Sequence, residues 1–209
     1  KLLSKEYRVE RNHNVVIALD TGRLMSEHLD GIPKLDHAIN AALLLAYAAL
    51  RGGDRVGLFG FGSRPGLYHE PVHGIGGFRN LQVACARLDY GFDESNFTLG
   101  VSTLMERLSR RSLMVVFTDF VDTISAELMM EQIGRLTRNH LVLFVTFDDQ
   151  EIARPRLARP DSLLDVARAT VAEDMRAERR IVIERLRRLG VQCLELPPGA
   201  LAGSVVERY

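Results

Sequence analysis

Val15-Val16-Ile17-Ala18-Leu19-Asp20 is a short apolar run that stops on an acid. A continuous run of this kind reads as a strand buried on both faces, as in parallel sheets. Beyond it the pattern changes at Lys34. Leu35, Ala38, Ile39, Ala42, Leu43, Ala46 and Leu50 recur at helical spacing, and Gly52-Gly53 ends the helix. Asp54 leads into a second strand, Val56 to Phe61. Residues 62–77 are rich in Gly and Pro and predict at most a short strand around Leu67-Tyr68. Helices follow over about 80–88 and 99–108. Leu113 to Thr118 is a strand ending on Asp119, and Ser125 is expected to cap a helix running through Leu136. His140 to Phe147 is the next strand, ending at Asp148-Asp149. A loop with Pro155 and Pro160 precedes a long helical region from Ser162 to Leu189, with an interruption left open. Gly190, a last strand from Val191 to Leu196, and a short helix after Pro197-Pro198 complete the chain.

Strands alternating with helices imply parallel pairing and right-handed crossovers. The expected fold is therefore α/β, a doubly wound and mostly parallel sheet flanked by helices. In such sheets ligands gather beyond the carboxyl ends of the strands, at the switch in strand order. Asp20, Asp119 and Asp148 all fall at such ends. A single aspartate there is explained by turn and cap preferences, but Asp20 and Asp119 together point to a shared site.

The 209 residues suffice for one sizeable core, and one domain over 1–209 is expected, with 1–13 as a lead-in. At 46% hydrophobic and 26% charged the composition is that of a soluble globular protein. Lys+Arg and Asp+Glu both number 27, so no net charge steers the chain to nucleic acid or to a membrane surface. Arginines cluster late (Arg154, Arg156, Arg159, Arg176, Arg179, Arg180, Arg185, Arg187, Arg188), interleaved with acids, and read as a solvated helix face. Cys85 and Cys193, each in an apolar pattern, are expected as buried free thiols of a reducing compartment. No run is long enough to span a membrane and no signal peptide is evident. The start at Lys1 suggests a domain excised from a longer protein.

Several motifs occur together in order. Asp20-Thr21-Gly22-Arg23-Leu24-Met25 follows the first strand, Lys34-Leu35-Asp36 opens a helix, and Gly53-Asp54-Arg55-Val56-Gly57 leads into the second strand. Arg110-Arg111-Ser112-Leu113 then leads into Val116-Phe117-Thr118-Asp119-Phe120. This series resembles a von Willebrand A domain, and most closely the bacterial domain-of-unknown-function 58 family, over nearly the whole chain. Lys5 to Arg11 also resembles the segment before the first strand in that family. Its members usually carry transmembrane helices upstream and are commonly encoded beside MoxR-type AAA+ ATPases. The resemblance implies a partner-binding module linked to such an ATPase, on the cytoplasmic side of a membrane.

Many A domains hold a divalent cation in a metal-ion-dependent adhesion site. The pattern is Asp-x-Ser-x-Ser, a threonine from a later loop and a later aspartate. Hydroxyls and carboxylates supply the hard oxygen ligands that Mg²⁺ prefers. Carried onto this chain, the ligands are Asp20, Thr98 and Asp119, while the two serine positions hold Gly22 and Leu24. The residual site is expected to be empty or to bind Mg²⁺ weakly. Arg23, between the altered positions, is a candidate to pair with a carboxylate and replace the cation's charge.

Other motifs carry less. Leu19-Asp20-Thr21-Gly22 matches an aspartic-protease signature, but no second copy exists and a helix follows. His69-Glu70-Pro71-Val72-His73 spells a zinc-protease motif, yet Pro71 opposes the helix it needs, so surface-loop histidines are expected. Gly57, Gly60 and Gly62 lack dinucleotide-binding order. His37 and His140 read as packing or surface residues, and Asp93, Glu94 and Ser95 are polar candidates beside the site. The expectation is a non-catalytic module binding a protein through Asp20, Arg23, Thr98 and Asp119. The alternatives are a Mg²⁺-dependent hydrolase using Asp20 and Asp119, and a scaffold whose contacts lie on the arginine-rich helix.

Overall fold

The computed structural model describes residues 12–148 and 163–209. The lead-in up to residue 11, Arg154, Arg156, Arg159 and the loop with Pro155 and Pro160 lie outside the described residues. The opening run is β1 (Asn14–Asp20), every residue after Asn14 buried. A one-turn helix α1 (Arg23–Ser26) and a small hairpin, β2 (His28–Leu29) with β3 (Ile32–Pro33), fill the interval before the predicted helix. The hairpin turns on Asp30-Gly31, both at positive φ, as two-residue primed turns require. Then come α2 (Lys34–Arg51), β4 (Arg55–Phe61), β5 (Pro65–His73), α3 (Phe78–Cys85) and α4 (Phe97–Arg107). The second half is β6 (Ser112–Phe117), α5 (Ala126–Leu136), β7 (Leu141–Phe147), α6 (Leu163–Arg188), β8 (Gln192–Leu196) and α7 (Pro198–Arg208).

The six-stranded sheet has the order β5-β4-β1-β6-β7-β8, parallel except for β5. Because β1 leads outward to β4 and β5, and the chain then returns to its other side as β6, the strand order switches between β1 and β6. Alternation along β1 serves two cores. Val15, Ile17 and Leu19 meet α2, α3 and α7 through Leu35, Leu45, Leu81 and Leu201. Val16 and Ala18 face the side of α4, α5 and α6, among Leu104, Met129, Ile133 and Leu186.

Four local expectations are corrected. The Gly- and Pro-rich stretch forms a nine-residue strand, not a loop with a short strand. As an edge strand β5 tolerates Pro65 and Pro71, and register shifts against β4 absorb its irregularity. His69 and His73 therefore lie on a strand, without the helical geometry of a zinc protease. Ser125 is the N-cap residue of α5 as expected, but its side chain makes no capping bond, and the Asp122 carboxylate accepts from its N–H at 2.7 Å. The late arginines are not all solvated. Arg180, Arg185, Arg187 and Arg188 are exposed, but Arg179 is largely buried. Cys85 and Cys193 are free, Cys85 buried and Cys193 partly so. Burial pushes each thiol to about 11, which leaves neither reactive near neutrality. No helix among the described residues is long and apolar enough to cross a membrane.

Candidate functional site

Strand register builds the site. Leu19 pairs with Phe117, and Phe117 with Val145, so the next residues of the three strands, Asp20, Thr118 and Thr146, stand side by side. The Thr118 hydroxyl donates to Asp20 Oδ2 at 2.5 Å. Asp20 Oδ1 accepts from the Gly22 N–H at 2.8 Å and from the Ser95 hydroxyl. Asp20 is only 2% exposed, and all these partners are neutral. Burial pushes its pKa up, further than the bonds from Ser95, Thr118 and Gly22 pull it down, and the nearby Asp119 charge adds to the rise.

Asp119, one residue past Thr118 and 6% exposed, has charged partners. Its Oδ2 accepts from Lys34 Nζ at 2.7 Å. Its Oδ1 accepts from the Arg179 guanidinium, the Thr146 hydroxyl and the Phe120 N–H, each at 2.9 Å. Burial alone would raise this carboxyl; Arg179, then Lys34, hold it below the usual carboxylate range. Lys34 also donates to Glu27 at 2.9 Å. Arg179 reaches from α6 across three strand ends. It donates to Phe120 O, Thr146 Oγ1 and Phe147 O, pairs with Glu195 at 3.1 Å, and stacks 4.4 Å over the Phe120 ring.

The loop 86–96 closes over Asp20. Gly91 N donates to Thr21 O at 2.7 Å, Arg23 N to Asp93 O at 2.9 Å and Asn96 N to Gly62 O at 2.9 Å. The Ser26 hydroxyl donates to Gly91 O, and Tyr90 OH to Asp36 Oδ1. A Cβ on Gly91 would lie 2.5 Å from Thr21 O, so this approach requires glycine. At Gly22 the demand is for space, since φ −75° and ψ −178° suit any residue. A Cβ there would lie 2.0 Å from Ser95 Oγ. The Ser95 hydroxyl, from another loop, thus occupies the space where a side chain at position 22 would begin and bonds Asp20 there.

Of the residues singled out in the sequence, the structure brings Asp20, Asp119 and Ser95 together, and not Thr98, Arg23 or Asp148. Thr98 is exposed at the start of α4 and bonds neither aspartate. Arg23 is not the charge beside them: its side chain is 53% exposed and meets Glu94 at 3.8 Å. Lys34 and Arg179 hold that role. Asp148, just past β7, donates its N–H to Leu196 O, and Thr146 is the β7 residue that reaches Asp119. His37 bonds Leu29 O, and His140 Nδ1 accepts from Ser112 N, both packing roles. Sequence reasoning missed Lys34, Arg179, Thr118 and Thr146 as site residues. One signal was present: a lysine at the first position of a helix opposes the macrodipole and needs a local acid.

These residues do not fit a divalent cation as they stand. Every carboxylate oxygen of Asp20 and Asp119 is engaged by a donor within the chain, and Asp119 already faces two cations. Leu24 offers no ligand. Among the described residues, no group of three or more His, Cys, Asp or Glu could hold a metal. A hydrolytic step through metal on Asp20 and Asp119 has no support in this geometry.

A family model described as "Protein of unknown function DUF58" matches residues 1–181. No curated protein matches the chain. Among solved structures, the chain is similar to the PilB minor pilin from Streptococcus sanguinis. The identity is 10% and the TM-score 0.64, over 98% of this chain and 62% of the pilin, so it spans less than two thirds of that protein. It is also similar to the SpRpn10 VWA domain, at 11% identity and TM-score 0.57 over 93% of this chain and 94% of the other. The conserved hypothetical protein BatB from Bacteroides thetaiotaomicron gives 12% and 0.56, over 94% and 98%. At such identities the likeness establishes the fold, a von Willebrand A fold.

Proposed function

The chain belongs to the DUF58 family, and on that premise we propose that it is a non-catalytic protein-interaction module built around a degenerate metal-ion-dependent adhesion site. One observation carries this reading. Phe92 is 86% exposed on the loop over Asp20, and Ile124 is 85% exposed on the loop that follows Asp119. Large apolar side chains held out to water at a ligand-binding edge of the sheet suit the centre of a protein interface. Arg23 and Thr98, both exposed, supply polar groups on the same edge. Asp20 and Asp119 contribute from beneath, by fixing the roots of the loops.

The partner proposed is a MoxR-type AAA+ ATPase, met on the cytoplasmic side of a membrane; family resemblance is the support for both. With such an ATPase as the probe, the parent chain should bind in a titration. Phe92→Ser combined with Ile124→Ser should weaken binding at least about tenfold, the scale of one lost interface anchor, with an unchanged melting temperature. Arg23→Ala should weaken it less. Equal binding by the apolar variants would overturn the surface, and no binding by the parent would overturn that partner.

A further inference from the structure

We infer that the Lys34 ammonium, assisted by the Arg179 guanidinium, is a resident cation: it supplies from within the chain the charge a divalent ion would bring, so the site needs no metal and refuses it. The inference rests on reading the site as a degenerate metal site. Position is the first argument. Lys34 opens α2, where the helix dipole disfavours a positive charge, and it is buried. Two carboxylates hold it there, Asp119 at 2.7 Å and Glu27 at 2.9 Å. A lysine kept against both the dipole and its own desolvation has a charge that the site uses.

Competition is the second argument. A divalent ion on Asp119 would have to displace Lys34 from Oδ2, or sit on Oδ1 beside Arg179. Either way it faces a fixed cation on the same carboxylate, at a range where repulsion in a poorly screened site is strong. The Asp20 side is closed as well. Its oxygens accept from Gly22, Ser95 and Thr118, and the Ser95 hydroxyl fills the space where a side chain at position 22 would begin. One side is filled by charge and the other by hydroxyls.

The test uses Mn²⁺ as the probe. Added to the parent chain and followed by calorimetry and by melting temperature, Mn²⁺ should show no saturable binding below about 1 mM, the weak end for oxygen-ligand sites. Lys34→Met should melt lower by on the order of 10 °C in EDTA, and Mn²⁺ should restore part of the loss. Saturable binding by the parent that Asp119→Asn abolishes would overturn the inference. So would a Lys34→Met chain that melts like the parent in EDTA, or one that melts lower but gains nothing from Mn²⁺, since that marks an ordinary ion pair. If Lys34→Met does not fold, the parent titration decides. Neither readout involves the ATPase, so this inference and the interaction reading fail separately.

Discussion

Asp20 and Asp119 end neighbouring strands, are both buried, and are held by opposite means. Asp20 is surrounded by dipoles: two hydroxyls and one N–H. Asp119 is surrounded by charges: an ammonium and a guanidinium, with a hydroxyl and an N–H besides. Burial is the same cost for both, yet one carboxyl is pushed up and the other held down. Dipoles at this site do not offset the desolvation of a carboxylate, whereas two cations do. The Asp119 half is therefore the electrostatic anchor, and the Asp20 half is a turn whose hydrogen-bond donors are all uncharged.

The largest predicted effect follows from that difference. Asp119→Asn leaves Lys34 and Arg179 buried without their shared counter-charge and should cost about 3–5 kcal/mol in urea unfolding. Asp20→Asn should cost clearly less, because the Ser95 and Thr118 hydroxyls can rotate to accept from the new amide, whereas Lys and Arg can only donate. Equal losses would break the comparison. The pH dependence has opposite signs. The lowered pKa of Asp119 gives stability that is complete above its unfolded value near 3.9 and lost as pH falls through the folded value. Asp20, with a raised pKa, works against the fold as pH rises from that unfolded value through its folded one. Asp119→Asn should flatten the acid limb of stability, and Asp20→Asn should make it steeper.

A middle-sized effect tests how the Asp20 half is closed. Gly22→Ser places a Cβ where the Ser95 hydroxyl lies, and should cost on the order of 1–3 kcal/mol as overpacking. In a Ser95→Gly background the space is free and the new hydroxyl can reach Asp20, so the double variant should recover at least about 1 kcal/mol of the summed losses. Additive losses would show that Ser95 and a side chain at position 22 do not compete for the same space.

How much of this was legible depends on whether an interaction is written along the chain or across it. The central strands, α2 and the aspartates at strand ends are local patterns of apolar period and turn chemistry, and those expectations hold. Strand β5 was legible only around Leu67-Tyr68, because an edge strand does not need the continuous apolar run by which buried strands are recognised. Arg179 was hidden among exposed arginines, since only the crossing of α6 over β6, β7 and β8 distinguishes it from Arg180. Lys34 was quoted as a helix opener and not as a charge, because its buried partner, Asp119, is 85 residues away. Ser95 was noticed as polar without a role, and only its bond to Asp20, made where Gly22 has no side chain, assigns one.

The smallest effect is the sharpest test of the comparison, because it removes the same group from each half. Thr118→Val deletes a hydroxyl that donates to Asp20 at 2.5 Å, and Thr146→Val deletes one that donates to Asp119 at 2.9 Å. The substitution preserves shape, so the difference reports hydrogen bonding. Losing Thr118 leaves Asp20 Oδ2 without its donor in a buried setting, which should cost about 1.5–3 kcal/mol as a bond to a charged group. Losing Thr146 leaves Asp119 with Lys34, Arg179 and the Phe120 N–H, and leaves the Arg179 terminal nitrogen with Phe147 O at 2.9 Å. That loss should be smaller by about 1 kcal/mol, because the remaining partners still compensate the charge. If Thr146→Val instead costs as much as Thr118→Val, the hydroxyls matter equally in both halves. The cations on Asp119 would then not buffer it, and the separation into an anchor held by cations and a turn held by dipoles would fall.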